Sequence, residues 1–361
     1  MRASVLCDGA RIVAVGREIE DPGAAILDAA GLIVGPGFID LHVHGFGRSS
    51  FFEPDEATVA AFAQEVVRHG VTAFLVSTAA PSLDAWRRRL SLPLVVPEPA
   101  AEPLGFHAEG PFLSPARRGA FPHGWLMAPD RDVLAELFRC AGDALRMITV
   151  APELPGALEL IRLAEEFGAV AAIGHTDADF ATASAAFEAG ASHVTHLFNA
   201  MRPFHHRDGG PVAASLLSGV TCELIADGVH VAPEALRVAY RVLGPTRTVL
   251  VSDNVAWLDA DAGGEPAGEV VRTPEGTIAG SRVPFDEQFR RAVRFLGIDV
   301  STAFRLASSN SARTVRFHHR KGAIERGMDA DLTLLDSELR VAGTICRGQV
   351  AYLREPERLR V

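Results

Sequence analysis

Residues 36–45 read PGFIDLHVHG, an apolar run of strand type that ends in His42 and His44. In an extended chain, positions i and i+2 project to the same side, so both imidazoles can reach one point beyond the strand end. Working outward along the chain, seven further runs share this build: VTAFLVSTAA (71–80), LGFHAEG (104–110), LRMITVAPE (145–153), VAAIGHT (170–176), SHVTHLFNA (192–200), CELIADGVH (222–230) and TVLVSDN (248–254). Helical patterns lie between most of them, over residues 56–69, 129–140, 156–167, 180–189 and 233–242, and two more follow the eighth run at 284–296 and 301–315. Strands alternating with helices imply a parallel sheet. Eight such units predict an α/β fold of the (β/α)8 TIM-barrel type, whose reactive side chains sit at the C-terminal ends of the strands. Residues 91–103 are Pro-rich and too short for a full crossover, which predicts a missing or deformed outer helix there. The run Arg87-Arg88-Arg89 reads as a solvated helix end.

Flanking the barrel, both ends of the chain carry short β-type runs: SVLCDG, RIVAVG, AAILDAAG and LIVGPGFID at the start, DADLTLLD, RVAGTICRG and QVAYL at the finish. Such strands need a second sheet to bury their apolar face. The reading is a small β-sandwich domain made of residues 1–40 and 325–361, folded around a catalytic barrel of residues 41–324.

Composition narrows the function. The 361 residues are 48% hydrophobic and 22% charged, which suits a large buried core. A net charge of −10 argues against a nucleic-acid partner, because polyanion binders need clustered Lys and Arg. No apolar stretch reaches the ~18 residues of a membrane span. The N-terminal residues lack the pattern of a signal peptide. The four cysteines, Cys7, Cys140, Cys222 and Cys346, form no CxxC pair and read as buried free thiols of a reducing compartment, so a cytoplasmic location is expected.

The chemistry-bearing residues fall at the strand ends. His42 and His44 close the first run, Glu109 the third, His175 the fifth and His196 the sixth; His230 follows the seventh and Asp253 ends the eighth. Taken alone, an HxH in a strand is usually not a metal site, a single histidine is more often a hydrogen-bonded core residue, and an Asp after a strand is commonly a turn former. Coincidence changes the weighing, since six strand ends carry such residues together. Four histidines and a glutamate suit a divalent transition metal, with Asp253 left for proton transfer. His69, His318 and His319, and the three tryptophans, read instead as helix-closing, exposed-loop and packing residues.

At this point the sequence resembles the N-acetylglucosamine-6-phosphate deacetylases of the amidohydrolase superfamily over nearly its full length. The resemblance rests on PGFIDLHVHG, HAEGPFLSP, IGHTDA, THLFNAM followed by HHR, ADGVHV, VSDN and IAGS. It implies a metal-dependent hydrolase that removes the acetyl group of an N-acetylated amino-sugar phosphate, in the first instance N-acetylglucosamine 6-phosphate, giving glucosamine 6-phosphate and acetate. It further implies Glu109, His175 and His196 as ligands of the main metal, His42 and His44 as ligands of a second or alternative one, and hence one or two ions per subunit. Zinc is the first expectation, with iron, manganese or cobalt also compatible. By the same resemblance Asp253 is the catalytic acid–base and His230 a catalytic and substrate-contacting residue. Asn199, Ala200 and Arg207 meet the phosphate, Arg207 from across a homodimer interface. Two departures touch the substrate pocket. Phe121 in GAFPHG stands where the family has a substrate-binding His, with His123 two residues on as a substitute contact, and VSDNVAWLD lacks the usual small-residue run. The alternatives they keep open are another amidohydrolase, acting on a different N-acyl amino sugar or a cyclic amide, and a non-catalytic sugar-phosphate sensor.

Overall fold

The computed structural model describes residues 3–17, 19, 21, 23–257 and 268–360 of the chain. Of the run VSDNVAWLD, Leu258 and Asp259 therefore lie outside the described residues. All eight expected strands form, as β1 (Phe38–Asp40), β2 (Val71–Thr78), β3 (Glu102–Glu109), β4 (Leu145–Val150), β5 (Val170–Ile173), β6 (His193–Val194), β7 (Thr221–Ile225) and β8 (Thr248–Val251). They pair in parallel and in chain order in one sheet. Between β8 and β1 the barrel is drawn shut just past the strand ends. There Asp253 N donates to His42 O at 2.9 Å and His44 N to Asn254 O at 2.7 Å. Below them the Ser252 hydroxyl donates to Asp40 at 2.5 Å.

Period-two alternation divides the strand residues between two cores. In β2, Phe74 and Val76 pack outward under the helices while Ala73 and Leu75 point into the lumen. In β7, Cys222 and Leu224 face outward and Ile225 inward. The lumen is filled by Ile39, Leu41, Leu104, Met147, Val170, Val249 and their neighbours, together with Ala312 and Val315 from the chain beyond the last strand. The barrel is thus a packed core with its chemistry confined to one mouth.

The outer layer consists of α1 (Glu56–Glu65), α2 (Leu83–Leu90), α3 (Arg131–Ala141), α4 (Ala157–Glu166), α5 (Phe180–Glu188), α6 (Gly210–Leu217), α7 (Pro233–Arg247) and α8 (Phe285–Leu296). Side chains of Asp55, Ser82, Asp130 and Asp179 cap α1, α2, α3 and α5, each such cap being worth ~1 kcal/mol. One helix, α6, escaped the sequence reading, and another, α2, was read only through its basic end. The short α2 is the reduced crossover before the Pro-rich segment, and its Arg89 corrects the reading of a solvated basic end: the residue is buried, with its guanidinium over the Trp125 ring. Helix α6, GPVAASLL, is apolar almost all round and packs against α5 and α7, so it has no polar face to betray it.

The termini come together as expected. Ile33–Pro36 joins Leu332–Leu335, Val341–Cys346 and Gln349–Leu353 in a four-stranded antiparallel sheet, and Ser4–Asp8 pairs with Arg11–Gly16 beside it. Ile12, Ala330, Leu332, Leu334 and Ile345 form their own core. This β-sandwich is tied to the barrel by Thr333 and Thr344, whose hydroxyls donate to Gly70 O and Val67 O, each at 2.7 Å. A buried charge cluster reinforces the tie. Lys321, 2% exposed, pairs with Asp331, with Glu102 at 2.8 Å and with Asp329 at 3.1 Å. Among the described residues the four cysteines are free, Cys222 and Cys346 buried, Cys7 and Cys140 partly so. No described helix is long and apolar enough to cross a membrane.

Candidate active site

Five of the predicted residues meet at the C-terminal mouth. Glu109, at the end of β3, is their centre: its Oε1 lies 3.0 Å from Nε2 of both His175 and His196 and 3.4 Å from Nε2 of His42. Its Oε2 lies 2.9 Å from Nε2 of His44. The four Nε2 atoms also face one another in pairs, His42 to His44 and His175 to His196, at 3.1 Å each. All five side chains are buried.

The outer ring nitrogens show what the inner ones carry. Nδ1 of His44 lies 3.0 Å from Ser77 O, that of His175 3.0 Å from Arg117 O, and that of His42 2.9 Å from Glu223 Oε2. An oxygen acceptor on Nδ1 keeps a ring proton there, so Nε2 is the nitrogen left to give a lone pair once a cation displaces its own proton. Nδ1 of His196 is buried without a partner among the described residues. Lone pairs and a carboxylate aimed at one small volume form a donor set for a cation. His42, Glu109 and His196 offer ligand atoms within 4.8 Å of one another, as do His42, His44 and Asp253. Nitrogen donors mixed with carboxylate suit a divalent transition metal, so the residues present fit one.

Electrostatics select positive charge at this spot. Burial disfavours the His42 imidazolium, but the charges of Glu223 and Glu109 outweigh it and hold its pKa well above the ordinary range. Burial likewise opposes the Glu109 carboxylate. The charges of His42 and His44, with hydrogen bonds from His175 and His196, overcome it and drive the pKa well down.

Asp253 stands beside this set. Its Oδ1 is 3.7 Å from His42 Nε2 and 3.8 Å from His44 Nε2, and its Oδ2 is 3.6 Å from His230 Nε2. His230 is anchored through Nδ1 on Asp227 at 2.6 Å. Burial opposes the His230 imidazolium, and its hydrogen bond to Asp227 and the charge of Asp253 more than offset it, so the pKa is raised. His175, His196 and Asp253 all have left-handed backbone, with φ of 47°, 28° and 48°. Such conformations cost ~1–3 kcal/mol each in non-glycine residues, and they concentrate at sites where geometry is imposed by function.

The remaining predicted residues lie outside this centre. Asn199 and Ala200 occupy the turn after His196; Ala200 O accepts from Thr176 N at 3.1 Å, and the Asn199 amide donates to His196 O at 3.3 Å. The 114–121 loop passes over them, close enough that a Cβ on Gly119 would lie 3.0 Å from the His175 ring. Arg207 is exposed in the following loop and donates to His206 Nε2 at 2.8 Å, so within this subunit it does not join the metal-type cluster. His123 sits in an exposed turn. Phe121 packs against the His175 ring, with centroids 5.2 Å apart, and Phe52 stacks on His44 at 4.9 Å. An aromatic wall with Trp125 thus borders the ligands.

Sequence reading missed the layer of supports beneath: Glu223, His193, Asp227 and Ser77. Glu223 was visible as the one charged residue among the apolar positions of CELI, at a lumen-facing place. Asp227 stands three residues before His230 in the same run.

An eight-stranded parallel barrel with imidazoles and carboxylates gathered at its mouth is the architecture of the amidohydrolases, and the chain belongs to the amidohydrolase family, whose sequence pattern matches residues 33–351. That family is generally metal-dependent. Within it the chain belongs with the N-acetylglucosamine-6-phosphate deacetylases. It is 33% identical to the enzyme of that name from Bacillus subtilis over 93% of this chain and 87% of that one. It is 35% identical to that from Bos taurus over 92% and 86%. In three dimensions it is similar to N-acetyl-D-glucosamine-6-phosphate deacetylase from Mycobacterium smegmatis, with TM-score 0.84, 32% identity and coverage of 96% of this chain and 95% of that one. An Asp-to-Ala variant of the M. smegmatis protein, in complex with N-acetyl-D-glucosamine-6-phosphate, matches with TM-score 0.85 and 31% identity over 96% of this chain and 94% of that one.

Proposed function

We propose that this chain hydrolyses the acetyl amide of N-acetylglucosamine 6-phosphate, releasing acetate and glucosamine 6-phosphate. The observation that carries the reading is the convergence of four Nε2 atoms on Glu109 with the Asp253 carboxylate within 4 Å of two of them. The relatives' names supply the substrate.

Glu109, His175 and His196 would hold the main divalent ion, with His42 and His44 available to a second. A divalent ion in such a site acts as a Lewis acid on a carbonyl and lowers the pKa of water to about 7. Zinc is our first assignment, iron, manganese or cobalt fitting the same donors. Asp253 accepts the proton of the attacking water as its oxygen bonds to the amide carbon. It then delivers that proton to the nitrogen as the C–N bond breaks, so that the amine leaves neutral. His230, held through Nδ1 by Asp227, presents Nε2–H to the carbonyl oxygen, where a donor aimed at developing negative charge is worth a few kcal/mol. Asn199 and Ala200 receive the phosphate, and Arg207 completes that subsite for the neighbouring subunit of a homodimer. His123 lines the outer rim. The terminal strands, 1–40 and 325–361, act as a separate sandwich domain to the 41–324 barrel. The unpaired thiols fit a cytoplasmic enzyme.

The aromatic wall of Phe52, Phe121 and Trp125 favours one second reading, a different N-acyl hexosamine phosphate as the preferred substrate. Acetate release by purified protein supplied with zinc, manganese or cobalt decides between them. The panel is N-acetylglucosamine, N-acetylmannosamine and N-acetylgalactosamine, each with and without 6-phosphate. Fastest turnover of N-acetylglucosamine 6-phosphate upholds the proposal, and no acetate release from any member overturns it.

A further inference from the structure

Beneath the ligand set lies a carboxylate that the proposed reaction does not use. Glu223 is fully buried on β7, and both its oxygens are occupied. Oε2 accepts from His42 Nδ1 at 2.9 Å and from the backbone N–H of His196 at 2.8 Å, while Oε1 lies 3.1 Å from His193 Nε2. His193 is itself fixed through Nδ1 on the Thr221 hydroxyl at 2.7 Å. The two groups on Oε2 belong to the two sets of candidate ligands. One is the ring of His42, beyond β1; the other is the main chain of His196, at the end of β6, where φ is +28°. A single oxygen therefore orients an imidazole from one strand and a strained backbone from another.

We infer that Glu223 is a positioning residue for the metal centre, holding His42 in the Nδ1–H tautomer so that Nε2 presents a lone pair, and locking the His196 backbone in the conformation that aims its ring at Glu109. The inference rests on the proposed metal-dependent reading. A carboxylate has no proton to give, so once an ion takes the place of the hydrogen at His42 Nε2, the ring keeps the one on Nδ1 that Glu223 accepts. The tautomer of His42 is thereby set from below, and Nε2, which faces Glu109 and Asp253, is the nitrogen left to give its lone pair to the ion. Supports of this kind, one hydrogen bond behind a ligand, typically change metal affinity ~10–100-fold when removed.

Cobalt(II) titration, read by visible absorption and by chelator competition, tests this with wild type, His42→Ala, Glu223→Leu, Glu223→Gln and the His42→Ala/Glu223→Leu double variant. Glu223→Leu keeps the bulk and removes both acceptors. Its cobalt affinity should fall ~10–100-fold and the ligand-field bands should shift. The amide oxygen of Glu223→Gln can still serve His42 and His196 while its NH2 faces His193, so this variant should recover part of the loss. The double variant should be weakened by less than the product of the two single effects, because both act on one ring. A folded Glu223→Leu protein with wild-type affinity and spectrum, or strictly multiplicative effects, overturns the role of Glu223 while leaving His42 a ligand. If wild type fails to bind cobalt, or His42→Ala binds it as wild type does, His42 is no ligand and the inference falls with that reading. Should Glu223→Leu not fold, nitrogen-15 NMR of histidine-labelled, zinc-loaded wild type answers instead: His42 protonated at Nδ1 upholds the inference, and protonation at Nε2 overturns it.

Discussion

Strand β3 carries a glutamate at each end, and the two are held in opposite ways. At its start, Glu102 meets Lys321 at 2.8 Å and Arg320 at 3.1 Å, in a cluster where Lys321, Arg320 and Arg11 balance Glu102, Asp329 and Asp331. Three permanent cations answer three carboxylates, and the group is complete as folded. At the other end Glu109 meets only imidazoles, and Glu223 and Asp253 likewise pair with histidines. Imidazoles hold their positive charge conditionally, and their lone pairs are worth most when a cation takes them. Buried charge therefore suits two ends in one strand: where fixed cations surround it, it fastens the terminal sheet to the barrel, and where histidines do, it offers the donor set of the proposed metal site.

The sharpest way to break that contrast is at the mouth. Asp253→Asn should lower kcat for deacetylation by ~10²–10⁴ while zinc content, measured by mass spectrometry, and the thermal midpoint stay close to wild type. Retention of more than about a tenth of the rate would remove the acid–base role, given that usual range. At the base the signs should reverse. Lys321→Met leaves Glu102, Asp329 and Asp331 short of a cation and should cost ~3–5 kcal/mol in urea unfolding, with kcat of the folded fraction unchanged. A lower kcat with unaltered stability would mean that the two ends are not separate. Arg207→Ala should raise KM for N-acetylglucosamine 6-phosphate about tenfold, the loss expected for one charge-assisted hydrogen bond, and leave KM for the unphosphorylated sugar nearly unchanged. An equal rise for both would count against a phosphate contact. Smallest is Arg11→Ala, at the half-exposed rim of the basal cluster. It should cost under ~1 kcal/mol, and a larger cost would shift the weight of the cluster from Lys321 to its edge.

The barrel and the residues gathered at its mouth were legible because both obey local rules. Apolar runs of strand length mark where β1 to β8 lie, and the polar residue that ends each run is carried to the mouth by strand direction alone. Hence Glu109, His175, His196 and Asp253 could be named one by one. What stayed hidden depends on which strands become neighbours. Nothing near Glu223 in the sequence points to His42, 181 positions away, and their hydrogen bond exists only once the sheet has curled. Helix α6 was missed because burial on nearly every side erases amphipathic contrast, and Arg89 because a basic run on a short helix does not disclose which residue turns inward. The proposed phosphate contacts are less legible still. Arg207 is identified by resemblance alone, and the subunit's own geometry leaves it pointing to solvent.

The closing seam of the barrel has one more consequence. Asp40 and Ser252, which clasp its two edges, are 212 residues apart, and His42 and Asp253, the proposed ligand and proton-transfer residues, lie immediately beside them. During synthesis the first imidazoles leave the ribosome long before their partner aspartate exists. A growing chain can therefore neither close that seam nor bring Asp253 beside His42 and His44 until nearly the whole barrel has emerged.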